Sequence, residues 1–313
     1  MYYPYLRGKQ FELIALREFA DAHSNYKVVP IIEPVKSTFN SMSLAVNAMK
    51  TKNLKFVLIL NPQVGDIKDN TILIEQSLTN ELSDNSAWCP AFIVTNSNQN
   101  RITTHIIEKE YNNVFLICKD NLDSSAQSLI QLFKMQNITN IVISANNSRL
   151  KRLANKNNKS IIRLDDSFIS QSKNSSYVSI PEEMFSEEYK YFEDDGFAGI
   201  SDYTTLPSNF IDGGMRPWAV AIHWTYEKGN EAIWVKHFVS DSNDGLENVQ
   251  GKFLEAGRKA VDFFNSTQIT SNRAIEELRT FIQNSQYPGL GVIKKLSIKN
   301  HIELLNQILC REK

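Results

Sequence analysis

Short apolar runs recur along the chain, and each closes on polar residues. They are KVVPIIEPV (27–35), LKFVLILNP (54–62), CPAFIVTN (89–96), NVFLICKD (113–120), NIVISANN (140–147), SIIRLDD (160–166), GFAGISDY (196–203) and WAVAIHWTY (218–226). Most are continuous rather than alternating, the pattern of strands covered on both faces in a parallel sheet. Segments with helical spacing lie between them, among them TILIEQSLTNELS, SAQSLIQLFKMQN and NSRLKRLANKN. The runs follow one another at about 20 to 36 residues, the length of a strand plus a crossover helix. Eight such units predict an α/β fold, a (β/α)8 TIM-like barrel. An open doubly wound α/β sheet is the alternative that the same pattern allows.

Both ends depart from this rhythm. KQFELIALREFADAH places Phe11, Leu13, Ile14, Leu16, Phe19 and Ala20 on one broad apolar face, so a helix is predicted there, led in by an extended YPYL and Gly8. Further on, AVAIHWTYEKGNEAIWVKHFVSD reads as a β-hairpin turning at Gly229 and Asn230. LENVQGKFLEAGRKAVDFFN, NRAIEELRTFIQNS and KNHIELLNQILCREK then read as helices, the last two separated by YPGLG. The organisation expected is a single barrel-like domain over 1–313, with 1–26 as an N-terminal clasp and helix and 244–313 as a C-terminal helical segment.

Composition adds little to this. With 313 residues, 42% of them hydrophobic, the chain can bury a large core. A net charge of −1 supplies no global field toward nucleic acid or membrane. Three scattered cysteines, Cys89, Cys118 and Cys310, suit a reducing compartment. No apolar run is long enough to span a bilayer and no signal-peptide pattern opens the chain, so a cytoplasmic location is expected. SRLKRLANKNNKS carries five cations and no acid, while EEMFSEEYKYFEDD carries seven acids and one lysine. Both are read as a solvated helix face and a loop. Without interleaved aromatics the first is no strong nucleic-acid signature.

Candidate chemistry gathers at the strand exits, which form the site face of a barrel. These exits hold Glu33, Asn61, Thr95, Lys119 with Asp120, Ser144 with Asn146, Arg163 with Asp165, Asp202 and His223. The expectation is one polar site for an anionic ligand, phosphorylated or nucleotide-like. Glu33, Asp202 and His223 are the candidate catalytic groups, with the carboxylates as acids, bases or ligands of a divalent metal. Arg7, Lys9, Asn61, Lys119, Arg163, Asp165 and His237 are the candidate ligand-binding residues. Two readings of the opening MYYPYLRGK stay open. Its tyrosines pack across a barrel end and aim Arg7 and Lys9 at a cleft, or the segment plugs the barrel bottom with Arg7 paired to an acid such as Glu12. FIDGGMRPW is a turn whose N–H groups could meet an anion. No H-E-x-x-H, P-loop, G-x-G-x-x-G or G-x-S-x-G pattern occurs.

The opening YPYLRGKQFELIALRE followed by VVPIIEPV resembles the phage-type "beta protein" family. GFAGISDYTTLP, GGMRPWAVAIHWTY and IWVKHFVSDSNDG are similar to its bacterial branch. The matched positions are Arg7, Gly8, Lys9, Glu12, Glu33, Asp202, His223 and His237. The resemblance implies a part in phage–host conflict, as an anti-phage defence component, beside a small, separately encoded nuclease-like partner. It implies no catalytic mechanism. Phage members carry lysine where this chain has Arg7, so chemistry that depends strictly on a lysine there is not implied.

Overall fold

The computed structural model describes residues 1–313 except 85, 120, 214–216, 230, 268, 312 and 313. Its strands are β1 (Tyr5–Leu6), β2 (Ile31–Ile32), β3 (Phe56–Ile59), β4 (Trp88–Ile93), β5 (Val114–Cys118), β6 (Ile138–Ser144), β7 (Ser160–Asp165), β8 (Glu182–Ser186), β9 (Gly199–Asp202), β10 (Ala221–Lys228) and β11 (Ala232–Val239). The helices are α1 (Gln10–Ala22), α2 (Asn40–Thr51), α3 (Thr71–Ser77), α4 (Thr79–Leu82), α5 (Gln99–Glu108), α6 (Gln127–Lys134), α7 (Ser148–Lys156), α8 (Glu188–Tyr191), α9 (Val249–Ser266), α10 (Arg273–Gln283) and α11 (Leu290–Arg311). The chain divides into two compact units. One comprises 1–13, 20–165 and 188–202, the other 14–19, 166–187 and 203–313.

In the first unit eight strands pair in the order β1–β2–β3–β4–β5–β6–β7–β9, every pair parallel. Tyr2 bridges both Val28 and Ile200. Tyr3 N–H donates to the Ile200 carbonyl at 2.8 Å, and Ile200 N–H to the Met1 carbonyl at 3.1 Å. These bonds join the first strand to the last, so the sheet is a (β/α)8 barrel and not an open one. The ring of Tyr3 lies 6.1 Å from that of Phe115 on β5, and a Cβ at Gly199 on β9 would meet it at 2.6 Å. One ring touching two non-adjacent strands marks the inside of the barrel. Register then assigns the other inward positions. Tyr5, Ile31 and Val57 share a face, as do Ala91 and Phe115, and then Val142, Ile162 and Gly199.

The strand count was right, but one strand was misassigned. WAVAIHWTY is not the eighth barrel strand; Tyr5–Leu6, the expected clasp, occupies a place in the ring. A two-residue strand preceded by proline is too short to produce a periodic signal. The 218–226 run has a closer partner in 232–239, reached at the small entropic cost of a short loop. The predicted hairpin therefore forms, antiparallel from Ala221↔Val239 to Lys228↔Ala232, although Asn230 of its turn lies outside the described residues.

The second unit holds a three-stranded sheet in the order β10–β11–β8, all pairs antiparallel. Val220, Ile222, Trp224 and Phe238 pack there with Phe253, Phe264, Leu278 and Leu296 of the three predicted C-terminal helices. The acidic run 182–195, expected as a loop, contributes β8 and α8 instead. α11 is buried along most of its length and carries Lys295 and Lys299 inward. Lys295 meets Glu18 at 2.8 Å and Glu277 at 2.6 Å, and Lys299 meets them at 2.7 and 3.3 Å. Both of these buried cations are matched by carboxylates, which offsets the cost of their burial. Among the described residues no helix is long and apolar enough to cross a membrane.

Candidate functional site

At the C-terminal mouth of the barrel the first two strands deliver Tyr5, Arg7 and Glu33 to one point. Gly8 makes this possible. Its φ of +62° turns the chain from β1 into α1, and any Cβ there would sit 2.8 Å from Met42 Cε and 3.2 Å from the Glu33 carbonyl oxygen. Glu33 is fully buried and Arg7 nearly so, and the two form an ion pair. Tyr5 O–H donates to Glu33 Oε2 at 2.5 Å, and Gln63 N–H donates to Oε1 at 2.8 Å. Lys119, leaving β5, places Nζ 3.8 Å from Oε2 and donates to the Tyr5 hydroxyl at 3.1 Å. The two cations also flank the Tyr5 ring, Arg7 Cζ at 5.0 Å and Lys119 Nζ at 4.9 Å from its centroid. Burial alone would raise the Glu33 pKa. Lys119, Arg7, the Tyr5 hydroxyl and the Gln63 N–H outweigh it and hold the carboxyl below its ordinary value.

This arrangement decides what Glu33 can do. Both its oxygens are engaged and it stays ionised, so it orients Arg7 and Lys119 and is no proton donor. Arg7 and Lys119 both face the Glu33 carboxylate, and the buried Glu12 carboxyl is close enough to Arg7 and Lys9 to feel their charge. Of the two readings left open for the opening segment, the second paired Arg7 with an acid such as Glu12; the acid paired with Arg7 is Glu33. Glu12 stays near the α1 N-terminus, where it accepts weakly from Lys9 N–H at 3.4 Å. Lys9, partly buried, caps that helix beside the site. Asn61 is committed to structure: its Nδ2 donates to the Ile93 carbonyl at 2.9 Å and its Oδ1 accepts from Ile93 N–H at 2.7 Å, stapling the end of β3 to β4.

The remaining barrel residues of the predicted site face the other way. Arg163 and Asp165 alternate with Ile162 and Leu164, and Asp202 pairs in register with Asp165, which puts all three on the outer face. There Arg163 donates to Asp165 at 2.7 Å and pairs with Glu188 of α8 and Asp195. Asp202 accepts from the Tyr2 hydroxyl at 2.7 Å. Burial raises the Asp165 pKa, Arg163 lowers it and Asp202 raises it, with a net rise. The single composite site expected from the strand exits is thus two clusters on opposite faces of one sheet. Thr95 turns back on its own loop, donating its N–H to Asn98 Oδ1 at 2.8 Å with its hydroxyl 3.2 Å from Ser97 Oγ, and Asp120 and the Gly214–Arg216 stretch lie outside the described residues.

His223 and His237 belong to the second unit, where they are cross-strand partners on β10 and β11. Their Nδ1 atoms are 2.8 Å apart, and His237 Nε2 lies 3.3 Å from Glu183 Oε1 on β8. Tyr177 packs on both rings at 4.6 and 4.5 Å. With Glu183 a carboxylate, His237 carries its proton on Nε2 and offers the Nδ1 lone pair, so His223 donates from Nδ1 and keeps Nε2 as an acceptor. Burial, then the neighbouring His237 and Lys294, bring the His223 pKa down to about 3, and burial brings His237 to about 4. Both rings are neutral at pH 7. His223 Nε2 can accept a hydrogen bond or bind a metal, yet as a general base it is weak.

Sequence reasoning missed Tyr5 and Gln63 at the mouth and Glu183 and Tyr177 at the histidines. Tyr5 carried a signal, since i and i+2 in an extended segment share a face with Arg7. Glu183 was hidden in an acidic run. Among the described residues no group of three or more His, Cys, Asp and Glu is placed to hold a metal ion. No family model matches the chain and no curated protein matches it. Among solved structures, the chain is similar to one reported under mutual activation of the tryptophan synthase α2β2 complex from the hyperthermophile Pyrococcus furiosus. That likeness has 12% identity and a TM-score of 0.36 over 65% of this chain and 87% of that one.

Proposed function

We propose that the C-terminal mouth of the barrel binds an anionic ligand, phosphorylated or nucleotide-like, in a protein of phage–host conflict. The observation that carries this is the buried Glu33 holding two cations, Arg7 and Lys119, around one tyrosine ring. Glu33 fixes their geometry before any ligand arrives, so little ordering remains to oppose binding. Lys119 keeps part of its side chain exposed and supplies the contact, with Lys9 beside it. The biological setting rests on the resemblance of the opening segment to the phage-type family. Titration calorimetry with inorganic phosphate and with AMP tests the site. Lys119→Met is expected to weaken binding at least tenfold with a melting temperature within about 2 °C of the parent, and Lys9→Ala to abolish protection in a phage plaque assay at similar stability. Binding that survives Lys119→Met would refute the site.

A second reading, a non-catalytic recognition module acting with a nuclease-like partner, is favoured by apolar exposure in the second unit. Ile169, Val178, Met184, Ile211 and Trp218 there are 53–60% exposed. Co-purification with a small protein encoded beside the gene, lost in Trp218→Ala, would select this reading.

A further inference from the structure

From Ser124 to Leu164, 41 consecutive residues contain no acid and seven cations, in a chain whose net charge is −1. The rest of the molecule therefore carries about −8, and the segregation needs a reason. Two of the seven have local work: Lys159 donates to the Met135 and Ile138 carbonyls, and Arg163 sits in its acidic cluster. Lys151 lies over the Phe197 ring and donates to the Asp195 carbonyl.

Lys134, Arg149, Arg152 and Lys156 differ. All four are exposed, and none forms an ion pair or a hydrogen bond among the described residues. Three other exposed cations of the same unit are paired, in Arg101–Asp69, Lys109–Glu75 and Lys52–Asp21, while Lys55 and Lys68 stand apart from one another along the chain rather than in a row. Leu150 and Ala154 bury one face of α7, and residues 148, 149, 152, 155 and 156 form the other. Arg149, Arg152 and Lys156, three and four residues apart, thus share one row about 10 Å long. α6 packs beside α7, and helices of a (β/α) barrel run the same way, so Lys134 at the end of α6 extends the row near Lys156. Ser148, Asn146, Asn155 and Asn158 add exposed neutral donors around it.

Stability does not explain this row. Arg149 lies in the first turn of α7, where the helix dipole favours acids and opposes cations. The exposed face holds no apolar side chain to enter a lipid surface and no aromatic ring to stack on an unpaired base. Arginine, lysine, serine and asparagine without acids are the groups that contact phosphodiester oxygens, and a 10 Å row spans about three base-pair steps of 3.4 Å.

We propose that the face formed by α7 and the end of α6 binds the backbone of a double-stranded nucleic acid without reading its sequence. This is independent of the barrel mouth, and Lys119→Met is expected to leave it unchanged. The test is fluorescence anisotropy with labelled duplex DNA, duplex RNA and single-stranded DNA of about 20 nucleotides, and flotation with phosphatidylserine vesicles, between 50 and 200 mM salt. One or both duplexes are expected to bind, independently of sequence, and more tightly than the single strand. Arg149→Glu/Arg152→Glu/Lys156→Glu is expected to weaken that binding at least tenfold and to flatten the log K against log salt slope by about 3, one phosphate per cation. The equal charge change Lys52→Glu/Arg101→Glu/Lys109→Glu is expected to cost far less. Equal losses in the two variants, binding to vesicles alone, or no duplex binding by the parent at 50 mM salt would each overturn the proposal. Circular dichroism confirms that both variants remain folded.

Discussion

At the scale of single residues, Glu33 and the histidine pair show how burial assigns roles. Glu33 looks like a general base on a strand exit, yet its partners keep it charged and occupied, and its removal would take a carboxylate away from two cations. Glu33→Gln is expected to lower unfolding stability by about 3 kcal/mol, measured by urea denaturation, because the buried Arg7 would lose the carboxylate it is paired with. The histidines act in the opposite sense. Their folded pKa values, about 3 and about 4, lie below the ordinary 6.5, so the unfolded chain takes up protons that the folded chain refuses. Stability is therefore expected to fall as pH drops from about 6.5 toward 4. His223→Gln/His237→Gln should flatten the melting temperature across that window while leaving the slope above pH 7 unchanged. The sequence exposed Glu33, Lys119 and both histidines because each closes or punctuates an apolar run. It hid their partners, Tyr5 and Glu183, because a tyrosine in a lead-in segment and a glutamate among six other acids carry no distinguishing context.

At the scale of elements, continuous apolar runs announced β2 through β7 and β9, since strands covered on both faces need apolar side chains at nearly every position. β1 escaped because two residues make no period, and only the ring it completes reveals it. Arg163, Asp165 and Asp202 were placed at the correct end of the barrel but on the wrong face. Strand exits say where a residue stands along the axis, whereas its parity depends on a register that the sequence does not display. The same tight register makes Gly199 a sensitive position. A methyl group there would lie 2.6 Å from the Tyr3 ring and 2.7 Å from the Met1 carbonyl oxygen, against both inward packing and the closing hydrogen bonds. Gly199→Ala is expected to destabilise the barrel by about 1–3 kcal/mol, read as a lowered denaturation midpoint. The equivalent change at Gly213, where a Cβ meets nothing within 4 Å, is expected to cost only the strain of its φ of +83°.

At the scale of the whole molecule, two compact units account for why a single repeated pattern could not describe the chain. The βα rhythm ends with β9, and the hairpin, β8 and the last three helices build a separate core around Trp224 and Phe253. Net charge was equally silent, because an acid-free stretch and an acid-rich remainder nearly cancel. The closure of the ring bears on how the protein is made. Tyr2 meets Ile200 through the backbone and Asp202 through its hydroxyl, a contact across 200 positions. A ribosome adding about 5–20 residues per second needs roughly 10–40 s to supply that partner. During that interval β1 and each newest strand are open edges, able to pair with another nascent chain. For this protein the vulnerable period is therefore one of synthesis, set by elongation rate and by whatever chaperone shields the unfinished ring until residue 202 has emerged.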